Sequence, residues 1–337
     1  MAQEKTRIFD LHCDTLDRLA WPLLPDELNG GHASYAPGDE GSVERGTLQD
    51  FAISKGHLSL NAMSGFSWCQ CLAVFIPDQL APDEAARFFD VVSRSLPSHV
   101  AAHPDLLGVA RCASEVDEVL GSGKTCGFLT IEGGGLLAAS PDMLEKIAAA
   151  GVRMVTLTWN GANPLGSGHE THQGLTDFGA KSVGALERRH IAVDVSHLND
   201  EGFWDVARIS KRPFAASHSN SRAVRDVPRN LTDDQFRAIR DAGGVVGLNF
   251  CRSFISGEKD PSPDELLAHV EHWLDLGGER VVALGSDYDG SNVPSWLEPC
   301  DKMRGLVKMM RQRFGDEQAE RLCFGNAREF FSRVEAD

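Results

Sequence analysis

A chain of 337 residues, 42% of them hydrophobic, is long enough to bury a large core. Its 49 acidic against 33 basic residues leave a formal charge of −16, which repels nucleic acid and anionic membrane surfaces. The N-terminal MAQEKTRIFD lacks a signal-peptide core, no run of about 18 apolar residues could span a bilayer, and the eight cysteines are scattered through apolar segments, so a cytoplasmic protein with reduced thiols and no nucleic-acid or membrane partner is expected.

In chain order, the first strand is predicted at RIFDL (7–11), followed by residues 17–67, rich in Gly, Ser and Asp, as an insertion. The second strand is WCQCLAVFI (68–76), where Cys69 and Cys71 alternate without the further ligands a metal site needs. APDEAARFFDVVSRSL (81–96) reads as a helix with Pro82 near its start and Phe88 and Phe89 in its packing face. CGFLTI (126–131) is a strand, SPDMLEKIAAAG a helix closing at Gly151, and RMVTLTW (153–159), IAVDVS (191–196) and PFAAS (213–217) are strands. LTDDQFRAIRDAGG offers Thr232 as N-cap and Gly243 as stop; GVVGLNF (244–250), the helix SPDELLAHVEHWLDLGG and RVVALGS (280–286) follow, and Met309 and Met310 are ordinary packing residues.

Eight strands alternating with helices imply a parallel sheet, and the expected α/β architecture is a (β/α)8 TIM barrel formed by residues 1–337 as a single domain, with its insertion between the first two strands. A doubly wound open sheet is the alternative, but neither GxGxxG nor a GxxxxGK[ST] loop is present.

The ionisable residues gather at the C-terminal ends of these strands. His12 and Asp14 follow the first, Glu132 the third, Trp159 and Asn160 close the fourth, His197 follows the fifth, His218 the sixth, and Asp287 and Asp289 the eighth. In a parallel barrel those ends share one face, so distant residues converge on one pocket. His12 and Asp14, two apart, point the same way on extended backbone, and imidazole with carboxylate suits zinc and its first-row neighbours. With two more histidines and a bridging glutamate the set could hold two ions, able to lower a shared water's pKa from 15.7 to about 7 and to polarise a carbonyl, which predicts hydrolysis. The other histidines fall outside this pattern: His169 and His172 sit in the loop GSGHETHQG with a solvated or lid role, His269 and His272 lie on a helix, and His32, His57, His99, His103 and His190 have no chemical neighbours in sequence.

With these residues in place, the chain resembles the membrane dipeptidase (renal dipeptidase) family, peptidase family M19, a branch of the amidohydrolase-type barrels. The resemblance is carried by DLHCDT (10–15), IEGG (131–134), TLTWN (156–160), DVSHL (194–198), ASHSNSRAV (216–224), RNLTDDQ (229–235), GSDYDG (285–290) and GNA (325–327), in order over almost the whole length. It implies two zinc ions: His12, Asp14 and Glu132 on one, Glu132 bridging, His197 and His218 completing the second. It implies further that Arg229 pairs with the C-terminal carboxylate of a dipeptide and that Asp287 handles the amino group and the proton, with Trp159 and Asn160 beside the substrate. An arginine fork suits a carboxylate and an acid suits an ammonium. A bridging hydroxide is then expected to attack the scissile carbonyl, with Asp287 passing the proton to the leaving amine. The family tolerates a D-residue at the C-terminal position, and a homodimer is compatible with it.

Two positions depart from the family pattern. Trp159 stands where mammalian members carry a histidine, so only an indole N–H donor is left, and Phe254 replaces a tyrosine that helps hold the substrate carboxylate. The alternatives are an amidohydrolase-type enzyme acting on an N-acyl amino acid, lactone, phosphoester or cyclic amide, and a non-catalytic barrel that binds peptides or uses metal only for stability. The Arg229 and Asp287 pair, which anticipates two charged termini, argues against the first, and the complete ligand set argues against the second.

Overall fold

Short apolar runs bounded by turns give the strands β1 (Arg7–Asp10), β2 (Ser67–Phe75), β3 (Leu107–Ala110), β4 (Thr125–Glu132), β5 (Met154–Thr156), β6 (Ala162–Asn163), β7 (Gly166–Ser167), β8 (Ala192–Asp194), β9 (Ala215–Ser219), β10 (Val245–Leu248) and β11 (Val282–Leu284) in a computed structural model describing residues 5–29 and 46–336. The middle of the expected insertion, His32 included, lies outside the described residues.

Eight strands, β1, β2, β4, β5, β8, β9, β10 and β11, pair in parallel around a ring that the β2–β4 pairing closes, giving the (β/α)8 barrel. Each of the eight overlaps a segment expected to be a strand. Neither β3 nor the antiparallel hairpin β6–β7 was among them. β3 adds to the first half of β4, Leu107 against Thr125 to Ala110 against Phe128, while β5 takes the second half from Thr130 onward.

Two apolar clusters hold this ring. One joins Phe9, Cys69, Cys126, Phe128, Met154, Ala192, Ala215 and Val245, mostly from the first residues of their strands, to Phe324, Phe330 and Phe331 of the C-terminal segment, which closes the N-terminal end of the barrel. The other packs the strands against the surrounding helices, and Phe88, Phe89 and Met310 are buried in the core as expected. All eight cysteines are free, six of them buried. Helix ends follow the sequence signals: Thr232 Oγ1 accepts from Gln235 N in a capping box before Asp233–Asp241, and Gly151 takes the left-handed conformation (φ 94°) after Met143–Ala150. The helix expected to stop before Pro97 instead runs Pro82–Ala102, because its buried face continues past the proline from Leu96 to His99. No helix among the described residues is long and apolar enough to cross a membrane.

Candidate active site

Every expected metal ligand stands at a C-terminal strand end. His12 and Asp14 follow β1, Glu132 ends β4, His197 lies three residues past β8, and His218 sits within β9. Two of the site residues occupy the left-handed region without being glycine, His197 at φ 69° and Asp287 at φ 61°. Such backbone costs about 1–3 kcal/mol per residue and persists where the surroundings enforce it. Here His197 O accepts from His169 N at 2.8 Å, and Asp287 N donates to His12 O at 3.2 Å.

The side chains converge on Glu132. His197 Nε2 stands 2.8 Å from Glu132 Oε1 and His218 Nε2 3.5 Å from the same oxygen, while His12 Nε2 is 3.3 Å from Oε2 and 3.5 Å from Asp14 Oδ1. The ligating atoms of His12, Glu132 and His218, and those of His12, Asp14 and Asp287, lie within 4.8 Å of one another. His12 and His218 stack at 3.8 Å between ring centroids.

Hydrogen bonding on the far sides of the rings decides what this cluster suits. His197 Nδ1 faces Asn160 Oδ1 at 2.8 Å, an acceptor, so Nδ1 carries the proton and Nε2 a lone pair. His218 Nδ1 faces Ser217 Oγ at 2.7 Å, and Ser217 gives its own proton to Asp194 Oδ2 at 2.5 Å, so again Nδ1–H donates and Nε2 is a lone pair. The two Nε2 atoms are only 2.9 Å apart, both aimed at a carboxylate oxygen, with no proton to share between them. Acceptors brought this close repel unless a cation sits among them. The Nε2 of His12 and Oδ1 of Asp14 are also buried without a hydrogen bond. The residues present fit a metal centre.

Charge tells the same story. Burial opposes ionisation of His12, yet Glu132, Asp14 and Asp287 outweigh it and hold the imidazole up at about 10. Burial pushes Glu132 up, but His12 and His197 win and keep it well below the usual carboxylate range. His197 is driven down to about 3 by burial and by Arg229, and His218 well down by burial and the His12 charge. Asp14 is raised well above normal by burial and by Glu132, and burial lifts Asp287 to about 6. Three carboxyl groups around one protonated imidazole leave excess negative character for a cation to neutralise.

Of the residues expected to meet substrate, Arg229 is buried with Nη1 on Ser219 Oγ and Nη2 on His218 O, both at 2.9 Å, and with its Nε unpartnered. Phe254 lies with its ring centroid 5.7 Å from the guanidinium carbon. Trp159 packs edge-on against Phe75 at 5.0 Å. Asn160, expected beside substrate, presents its amide oxygen to His197 Nδ1.

The membrane dipeptidase (peptidase family M19) family model matches residues 2–336. The chain belongs to the membrane dipeptidase family. Among similar solved structures is a metallo peptidase from Rhodobacter sphaeroides, determined with a phosphinate mimic of the dipeptide L-Ala-D-Ala, at TM-score 0.84 and 28% identity over 98% of this chain and all (100%) of that one. The dipeptidase AC, an M19 metallo peptidase, matches at TM-score 0.84 and 29% identity over 98% of this chain and 99% of its own. The dipeptidase verJ of Clonostachys rogersoniana is 34% identical over 219 residues, 64% of this chain and 56% of that protein.

In this M19 metallo-dipeptidase several residues support the cluster through partners that sequence spacing does not show. Asn249, just past β10, donates through Nδ2 to Asp287 Oδ2 at 3.1 Å and to His218 O at 3.2 Å, tying the acid to a histidine. Its one visible cue was a polar residue closing the apolar run GVVGLNF. Asp10 accepts from Ser286 N and Oγ at 2.8 and 2.5 Å, and Asp194 from Ser217 N and Oγ at 2.9 and 2.5 Å, so one device clamps neighbouring strand ends at two places in the ring. Asp289 turns away from the cluster, accepting from Thr15 Oγ1 and from His57 N at 2.6 Å each and thereby fastening the insertion. Cys13 is fully buried with its Sγ 3.4 Å from Cys71 O, and His269 and His272 lie on Pro263–Asp275 as expected.

Proposed function

We propose that the protein is a binuclear zinc dipeptidase that hydrolyses dipeptides with free termini, including those ending in a D-residue. The observation that carries this reading is the meeting of two imidazole lone pairs and the Glu132 carboxylate at one point, flanked by Arg229 and Asp287. His12, Asp14 and Glu132 would hold one ion, and Glu132, His197 and His218 the other. Bound there, the ions would supply an activated water at neutral pH and polarise the scissile carbonyl.

The chain's own groups do the rest. Arg229, anchored through both Nη groups, presents positive charge to the substrate carboxylate and fixes which peptide bond enters the centre. Asp287, steadied by Asn249, meets the free ammonium and delivers a proton to the leaving nitrogen. Trp159 lies beside this path as an apolar wall with one N–H donor. The phosphinate of an L-Ala-D-Ala mimic bound by the Rhodobacter sphaeroides relative supports both the dipeptide and the D-configured second residue. The scattered thiols support a reducing, cytoplasmic setting.

A panel of dipeptides varied in side chain and chirality, assayed with zinc and with a chelator, tests the reading. Hydrolysis restored by zinc, selective for free termini, with near two zinc ions per chain is expected. Fewer than one zinc per chain with no restored activity, or equal cleavage of C-terminally amidated peptides, would sink it.

A further inference from the structure

The two strand-end clamps are built alike but end differently. In each, an aspartate closing a strand accepts the backbone N–H and the hydroxyl of a serine on the neighbouring chain segment, as well as the N–H two residues ahead of itself: His12 N for Asp10, at 3.4 Å, and Ser196 N for Asp194, at 3.0 Å. Ser286 Oγ, the hydroxyl of the first clamp, has its other contacts at the His12 carbonyl oxygen and the Tyr288 N–H, each 3.2 Å away, and so beyond Asp10 meets only backbone. Ser217 Oγ, the hydroxyl of the second, beyond Asp194 meets Ser196 Oγ at 3.3 Å and, at the shorter distance of 2.7 Å, the His218 imidazole at Nδ1.

A hydroxyl has one proton. In Ser217 that proton points to Asp194 Oδ2, where a carboxylate makes the stronger, charge-assisted acceptor, and the Ser217 lone pairs are left for His218. His218 Nδ1 must then be the donor. Thr156 Oγ1 also donates to Asp194 Oδ2 at 2.6 Å, and Ser196 Oγ, 3.3 Å from Ser217 Oγ, accepts from His218 N at 3.2 Å, so the serine and the backbone of His218 are both held. All these groups are buried, with Asp194 and Ser217 fully inaccessible. On the other imidazole of the pair the matching partner is the neutral amide oxygen of Asn160.

We infer that Ser217, backed by Asp194, is a positioning residue that locks His218 as its Nδ1–H tautomer and aims the Nε2 lone pair into the metal centre. The inference rests on the metal reading given above for its consequence, though not for the tautomer itself. Removing the hydroxyl frees His218 to turn or to move its proton to Nε2, where it blocks ligation. Partners of this kind are worth about 10- to 100-fold in metal affinity.

Nitrogen-15 NMR of the metal-free full-length protein reads the tautomer directly, and zinc titration against a competing chelator reads affinity. The unsubstituted protein and Ser286→Ala, which loses an equivalent buried hydroxyl that touches no ring, should both show His218 protonated at Nδ1. Ser217→Ala should lose that signature and bind one zinc of the pair about 10- to 100-fold more weakly, and Ser217→Thr, which restores a hydroxyl, should recover most of both. An Nε2–H tautomer in the unsubstituted protein overturns the inference even if Ser217→Ala does not fold, as does a folded Ser217→Ala with unchanged tautomer and affinity. Absence of zinc binding in the unsubstituted protein counts against the metal reading alone, since the tautomer measurement still decides this one.

Discussion

At the scale of single residues, Arg229 is a buried charge to which the proposed function gives a part in binding rather than in chemistry. Its Nη groups are committed to Ser219 and to the His218 carbonyl, so the guanidinium cannot swing, while Nε has no partner in the protein. In the proposed function a substrate carboxylate is the partner that would offset the cost of burying this charge. Arg229→Met should raise KM for a dipeptide with a free carboxylate by about 10- to 100-fold, as expected for losing hydrogen bonds between charged groups worth about 1.5–3 kcal/mol. The kcat value should change much less, and the penalty should shrink for C-terminally amidated peptides, so steady-state kinetics on the matched pair checks it. The clustered His, Asp and Glu side chains themselves were legible in sequence because histidine, aspartate and glutamate at the ends of apolar strands are conspicuous. Ser217, Asp194 and Asn249 were not, because serine, asparagine and aspartate close strands and turns everywhere and their meaning lies in a partner across the sheet. Asn160 was seen as a strand-end residue, but the contact of its amide oxygen with His197 from another strand was not, because no sequence spacing relates the two.

At the scale of elements, capping signals marked helix ends such as Thr232 and Gly151, and the strands missed, β3, β6 and β7, lie outside the eight-stranded ring. The two-residue strands β6 and β7 are too brief to show a period and pair with each other, while β3 forms against the first half of β4, a partner that only the fold supplies. The helix Pro263–Asp275 carries an element whose chemistry only the fold reveals. His269 is fully buried, with Nδ1 accepting from Ser221 N at 3.1 Å and Nε2–H donating to Ile255 O at 2.9 Å. Burial drives its pKa from 6.5 down to about 4, and protonation would set a new N–H against the Ser221 amide proton. The unfolded chain therefore binds more protons than the native one between about pH 6.5 and 4, and stability falls as pH drops through that window. His269→Gln, which stays neutral, should flatten the pH dependence of the unfolding free energy there by up to about 1.4 kcal/mol per pH unit. Urea unfolding at a series of pH values measures the slope separately from any uniform loss of stability.

At the scale of the whole molecule, the barrel has two ends with different duties. The C-terminal strand ends carry the polar cluster, where several backbone and charge conflicts are tolerated. The N-terminal end is closed by aromatic packing, with Phe331 stacked on Phe9 at 5.6 Å and tilted against Phe128 at 4.5 Å. Sequence periodicity anticipated the eight barrel strands, but not this plug, because GNAREFFSRVEAD reads only as an amphipathic helix until the open barrel end that it covers is known. Phe331→Ala should cost about 3–5 kcal/mol, the usual range for a phenylalanine removed from a packed core, against a total of about 5–15 kcal/mol for a folded domain. The midpoint of urea unfolding should fall accordingly, while zinc affinity and KM, measured in buffer where the variant stays folded, should hold, since the substituted ring touches no residue of the polar cluster. Loss of zinc binding in the folded variant would show instead that the two ends of the barrel are coupled, and that the strand-end clamps depend on aromatic packing at the far end of the same strands.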